Sequence, residues 1–287
     1  MNINLKASSC LIVLVILLIM GLVYVDAQAE LKGPFAKSDR HPNGIEIHVI
    51  VDNNPYKVGL DTDGGFSCIV RGKSKTILFD TGHSDVTLLD NMRKMNITPE
   101  EVGVVVLSHI HDDHIGGLYR FLEKNHDVTI YLPNTFPEYI KESYKASGAR
   151  VFEVTKALKI CDRVYSTGVL EGLQQEHSLV LHLDSVNIVI TGCAHPGIVK
   201  ILKKAKEIIE DDIHLVMGGF HLTGGILGPP SLNELETISS FNDIGVRYVG
   251  PAHCSGDQAM RFFKRTYQEQ YIDIGAGKVI SVEDLKR

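Results

Sequence analysis

The chain has 287 residues, a net charge of −6 at neutral pH, and a composition 44% hydrophobic and 22% charged. That apolar content can build a real core, length allows one large domain or two small ones, and neither a fixed-period repeat nor a low-complexity segment is present. The acidic balance argues against a nucleic-acid partner: the best basic cluster (Lys200, Lys203, Lys204, Lys206) runs straight into Glu207, Glu210, Asp211 and Asp212 and reads as a solvated helix face.

Residues 1–29 read as a signal peptide. Lys6 lies in a short polar start, residues 11–25 form a 15-residue apolar run, and Ala27-Gln28-Ala29 supplies a small-x-small cleavage pattern. A membrane span needs roughly 20 apolar residues, so an uncleaved anchor is the alternative, and membrane contact is expected only in that case. Either way the body of the chain is expected outside the cytoplasm, periplasmic or extracellular. There Cys68, Cys161, Cys193 and Cys254 could pair in three connectivities, none expected to be essential to so large a chain. Residues 30–43 are polar, broken by Gly and Pro, and read as a linker. No linker divides residues 44–287, which are expected to form one domain.

Strands are expected over 45–52, 66–70 and 76–79, with an Asp/Gly/Asn-rich loop at 53–65. A helix follows over 86–95, with Ser84 or Asp85 as its N-cap, then a wholly apolar strand over 102–107. Helix 115–123, strand 128–132 and helix 137–146 come next. A second β-rich stretch covers 178–183 and 186–191. Helix and strand then alternate over 196–210, 213–217, 232–241, 246–249 and 257–267, and the chain closes on a strand pair near Ile272 and Val279. Each half thus begins with paired strands and continues with strand–helix alternation, which predicts two packed sheets with helices outside, a four-layer α/β/β/α sandwich.

The chemistry concentrates in Ser108-His109-Ile110-His111-Asp112-Asp113-His114-Ile115-Gly116-Gly117, between an apolar strand and a helix. Imidazole and carboxylate are the usual ligands of zinc and similar ions. In extended chain His109 and His111 point the same way and can grip one ion together, while Asp113 and His114, on the turn into the helix, can reach a second. A loop of surface histidines is the bland alternative, and this density of ligand-type residues at a strand's carboxyl end speaks against it. No dinucleotide fingerprint, phosphate-binding glycine loop or Gly-x-Ser-x-Gly elbow is present.

These residues resemble the metallo-β-lactamase superfamily, whose signature is His-x-His-x-Asp-His, and the resemblance extends over nearly all of residues 44–287. By that resemblance Phe79-Asp80-Thr81-Gly82 places Asp80 behind the metals, orienting a ligating histidine. Val249-Gly250-Pro251-Ala252-His253-Cys254-Ser255-Gly256 looks like the last histidine motif, with His253 completing the second site. Where many relatives carry Thr-Gly-Asp with a bridging Asp, this chain has Thr191-Gly192-Cys193, followed by Ala194-His195-Pro196-Gly197. Cys193 could bridge as a thiolate, lie beside the metals or simply be buried. The region of the usual third histidine holds Gln174, Gln175 and Glu176, with His177 at a strand start, so His195 is expected to replace it. With Gly218-Gly219-Phe220-His221-Leu222, the combination resembles the subgroup around the archaeal dihydropterin ribofuranosylaminobenzene-phosphate synthase.

His221 is a candidate ligand, proton donor, substrate contact or structural histidine. The loop at 223–231 is a candidate lid or pocket wall, or a plain surface loop. His41, His48, His126, His182 and His214 read as structural or exposed. The resemblance implies two divalent ions, zinc or else iron or manganese, that lower the pKa of a water and polarise a small-molecule ester, phosphoester or lactone. Asp113 would orient the nucleophile and His221 or His253 steady the leaving group. The competing expectations are a diiron oxidoreductase on the same scaffold and a non-catalytic metal-bound binding protein.

Overall fold

The structure, a computed structural model, describes residues 44–72, 75–222 and 231–286. The expected signal segment, the linker and most of the candidate lid lie outside the described residues.

Among the described residues, the first sheet has seven strands in the order β13-β1-β2-β3-β4-β5-β6. These are β1 (Glu46–Val51), β2 (Ser67–Arg71), β3 (Thr76–Phe79), β4 (Val102–Val106), β5 (Thr129–Pro133), β6 (Arg150–Val154) and β13 (Val279–Ser281). Strands β1, β2 and β3 pair antiparallel, whereas β3 to β6 run parallel. The second sheet has the order β12-β11-β10-β9-β8-β7. It contains β7 (Lys156–Cys161), β8 (Val164–Gly168), β9 (Leu179–His182), β10 (Asn187–Thr191), β11 (Leu215–Gly219) and β12 (Tyr248–Ala252). It too starts antiparallel and turns parallel from β10 to β12.

Three apolar clusters define the layers. Between the sheets, Ile47, Val49, Phe79, Val104 and Val106 meet Leu179, Leu181, Ile188, Ile190 and Met217. On the outer face of the first sheet, helices α1 (Asp85–Lys94), α3 (Leu118–Lys124) and α4 (Glu138–Ala146) bury Leu88, Met92, Phe121 and Tyr144. On the outer face of the second, α5 (Ile198–Ile209), α6 (Leu232–Ile244) and α7 (Asp257–Tyr267) bury Ile201, Leu202, Phe241 and Phe263. The result is the α/β/β/α sandwich that the alternation predicts. Val105 and Val106, neighbours on β4, enter different cores, which is why a strand covered on both faces is wholly apolar.

Ser84 caps α1 as expected, its hydroxyl accepting from the Thr87 N–H at 3.2 Å. Three expectations need correction. The helix expected at 115–123 is two pieces, a single turn α2 (Asp112–Ile115) and α3, separated at Gly116-Gly117. Residues 150–168 form β6, β7 and β8, for which no strands were expected. These lie at or next to the sheet edges, and β6 and β7 are largely exposed, so they carry little of the burial pattern that reveals a strand. The final strand pair is one strand, β13, and Tyr271 contributes only an isolated bridge to Val249. The four described cysteines are free thiols. Among the described residues no helix is long and apolar enough to cross a membrane.

Candidate metal centre

Five of the parallel strands, β3, β4, β10, β11 and β12, are followed by residues of the site. Asp80 follows β3, His109, His111, Asp113 and His114 follow β4, Cys193 and His195 follow β10, His221 follows β11, and His253 follows β12. Strand carboxyl ends are where α/β proteins gather ligands. The turns are tight: Asp80, Ala194, His221 and His253 are non-glycine residues with φ between 48° and 63°. Left-handed backbone costs such residues about 1–2 kcal/mol each, and its concentration here marks the region where the fold gives up local comfort to aim side chains.

Asp80 is fully buried and its carboxylate organises the first strand-end loop. It accepts from the Ser108 N–H (2.7 Å), the Ser108 hydroxyl (2.7 Å) and His114 Nδ1 (2.7 Å). Ser108 Oγ, with its proton turned to Asp80, accepts in turn from His109 Nδ1 at 2.9 Å. A carboxylate offers acceptors only, so this chain fixes the proton of both histidines on Nδ1 and leaves both Nε2 atoms bare. Asn53 does the same for His253, its side-chain oxygen lying 2.7 Å from His253 Nδ1.

The ring nitrogens converge. His109 Nε2 lies 3.0 Å from His111 Nδ1, which lies 3.2 Å from His195 Nε2. His114 Nε2 lies 3.2 Å from His253 Nε2, which lies 3.3 Å from an Asp113 oxygen. Cys193 Sγ stands 3.2 Å from His114 Nε2. Two triples, His109–Cys193–His195 and His114–Cys193–His253, each have their ligand atoms within 4.8 Å of one another. Cys193 belongs to both. The bare Nε2 atoms of His114 and His253 repel each other at 3.2 Å unless a cation lies between them, and nitrogen, sulfur and carboxylate donors suit zinc or iron. The residues present therefore fit the divalent metal that the fold implies.

The electrostatics favour the ligating form at His109, His195 and Asp113 and the protonated form at His114 and Cys193. Burial, together with the neighbouring histidines, holds His109 well below the usual imidazole range, and His195 is brought to about 4 by burial and by His221 and His111. Burial also opposes the charged form of His114, but the Asp80 carboxylate outweighs it and raises the pKa. Asp113 is held far below the usual carboxylate range by its hydrogen bond to His253, against partial burial. Cys193 is pushed up by its hydrogen bond to Cys254 and by burial. His221, whose ring centroid lies 4.5 Å from that of His195, is raised by its contact with Cys254.

The structure brings Asp80, His109, His111, Asp113, His114, Cys193, His195, His221 and His253 to the same strand ends. His195 stands with His109 and His111, with ring centroids 4.6–4.8 Å apart. His177 is elsewhere: buried, it contacts the Leu107 carbonyl through Nε2 (2.9 Å) and Ser166 Oγ through Nδ1 (2.7 Å). Two residues escaped the sequence reading. Asn53 lies far from the histidines in sequence, and only the return of β1 to the same edge makes it their neighbour. Glu176 is a fully buried carboxylate that accepts from the backbone N–H groups of Cys193, Ala194 and His195; the only available signal was an acidic residue next to an apolar strand.

Residues 60–233 match the metallo-beta-lactamase superfamily, and the chain belongs to it. It is 27% identical to the 7,8-dihydropterin-6-methyl-4-(beta-D-ribofuranosyl)-aminobenzene-5'-phosphate synthase of Methanocaldococcus jannaschii, over 83% of this chain and 97% of that one. Among solved structures it is similar to a metal-dependent hydrolase of the beta-lactamase superfamily, with a TM-score of 0.68 and 28% identity over 83% of this chain and 99% of that one. Zn(2+)-bound PqqB from Methylobacterium extorquens shares the fold at a TM-score of 0.56 and 9% identity, covering 82% of this chain and 99% of its own.

Proposed function

We propose that the chain is an exported, binuclear metal-dependent hydrolase of a small-molecule ester, phosphoester or lactone. The observation that carries this reading is the sharing of Cys193 by two donor triples. His109, His111 and His195 would hold one ion and Asp113, His114 and His253 the other, with Cys193 between them. Bound divalent ions supply Lewis acidity, lowering the pKa of water and polarising a substrate oxygen.

The protein's own groups complete the site. His109 and His114 are buried while His111 is exposed, so substrate enters from the His111 side. Asp113, kept ionised by His253, accepts a hydrogen bond from the attacking water and orients it. His221, on the far side of His195, holds a proton more firmly than an ordinary imidazole because of Cys254 and can deliver it to the leaving oxygen. The expected result is turnover of aryl ester or phosphoester probes that chelator abolishes and zinc or manganese restores, and that His111→Ala lacks at every metal concentration. Metal-independent turnover would sink the reading. The synthase relative matches 83% of this chain over 97% of its own length, so a bond-forming reaction is the competing outcome, and a metal-loaded protein inert to every hydrolytic probe would favour it.

A further inference from the structure

Glu176 is a buried acid that neither triple uses. Its Oε1 accepts from the Cys193 and Ala194 N–H groups (3.0 Å each) and its Oε2 from the His195 N–H (2.9 Å). Three successive backbone donors converging on one point form an anion nest, and here the anion is the protein's own side chain. We propose that Glu176 is the positioning residue that folds the Cys193-Ala194-His195 turn into a two-ligand clamp, aiming the thiol and the imidazole at neighbouring ions. The inference rests on the proposed metal reading and concerns how this chain builds its third nitrogen ligand from an unusual place.

The geometry requires such a device. Strand β10 ends at Thr191, and beyond it the chain must reverse at Ala194, an alanine held at φ 63°. Nothing in alanine favours that conformation. The three bonds are made only when the three N–H groups point inward together, and those from Ala194 and His195 work against the burial that pushes the Glu176 carboxyl up to about 7. Glu176 is itself anchored, exchanging backbone hydrogen bonds with Leu170 at 2.9 and 3.3 Å. The same segment grips the far side of the turn, where the Leu173 N–H lies 3.4 Å from the His195 carbonyl. That approach needs Gly172, since a Cβ there would stand 2.5 Å from the His195 oxygen. Held on both sides, the turn sets Cys193 Sγ 3.2 Å from His114 Nε2 and His195 Nε2 3.2 Å from His111 Nδ1.

Glu176→Gln separates the two ligands. The amide oxygen can keep the Cys193 and Ala194 bonds, but its NH2 then faces the His195 N–H, donor against donor. We would load chelated wild type and Glu176→Gln with cobalt(II), recording stoichiometry, affinity and the near-ultraviolet thiolate-to-cobalt band. Wild type should take two ions with that band present. The variant should keep the band from Cys193 while the ion at His109–His111–His195 weakens by about 10–100-fold, the usual effect of losing a group that orients a ligand. Adding Ala194→Gly, which relaxes the left-handed turn, should restore part of that loss, a rescue that a merely space-filling Glu176 would not show. If the single variant does not fold, the double variant carries the comparison. Wild-type affinity for both ions in Glu176→Gln, or in the double variant where that alone folds, overturns the proposal while leaving the metal reading intact. A wild type that binds no cobalt overturns both.

Discussion

Asp80→Asn is the most informative single change, because it alters protons more than shape. Asparagine tolerates the left-handed φ of 51° at this position, so the turn should survive. Its side-chain oxygen can keep the Ser108 N–H now at 2.7 Å. Its NH2 would then point at His114 Nδ1, where the carboxylate oxygen accepts at 2.7 Å. To avoid two facing donors, His114 must move its proton to Nε2, the atom that faces His253 and Cys193. His109 is less affected, because Ser108 Oγ can still accept from its Nδ1. Loss of such an orienting partner weakens metal binding by about 10–100-fold, or about 1.4–2.8 kcal/mol at 1.4 kcal/mol per decade. The weakening should fall on the ion held by His114, Asp113 and His253. Titrating metal-free wild type and variant with zinc against a chromophoric chelator resolves the two affinities. Equal affinities for both ions in the two proteins would refute the tautomer argument, as would equal weakening at the two positions.

Two further outcomes are expected. Burial brings His177 to about 4 from an ordinary 6.5, against the favourable contact with the Leu107 carbonyl. The folded protein therefore refuses a proton that the unfolded chain accepts below pH 6.5, and its stability should fall between pH 6.5 and 4, by about 3 kcal/mol in total at 1.36 kcal/mol per pKa unit. Denaturant unfolding of chelated wild type and His177→Gln should show the stability difference between them shrinking by that amount over this range; a constant difference would contradict the assignment. For the amino terminus, mass spectrometry of protein secreted from a bacterial host should find a mature chain beginning at Glu30, and an intact terminus recovered with membranes would point to an uncleaved anchor.

Much of the site was legible because the superfamily motif is local: His109, His111, Asp113 and His114 lie within six residues, and a strand before and a helical turn after decide where they point. The resemblance pointed to His195, because the family's usual place for a third histidine holds Gln174, Gln175 and Glu176 here, and the structure sets its ring beside those of His109 and His111. The supporting groups were less visible. Asn53 and Glu176 are defined by what folds onto them, through contacts spanning 200 residues to His253 and 17 to 19 residues to the Cys193 turn. Strands β6 to β8 were missed for a related reason. Strands such as Arg150–Val154 expose most of their side chains, so pairing rather than hydrophobic alternation makes them strands. Gly192 shows the same principle in miniature: a Cβ there would stand 2.1 Å from Ser108 Oγ, a demand that appears only when β4 and β10 bring their ends together.

The central claim is that one thiol joins two donor triples into a binuclear centre. Its most direct test is metal analysis of the mature protein beside Cys193→Ala and His111→Ala, each reconstituted and freed of loose metal under identical conditions. The account predicts two ions per chain in the wild type and loss of at least one in each variant. Two ions retained in Cys193→Ala would remove the thiol from the centre, and a wild type that retains none would contradict the account itself.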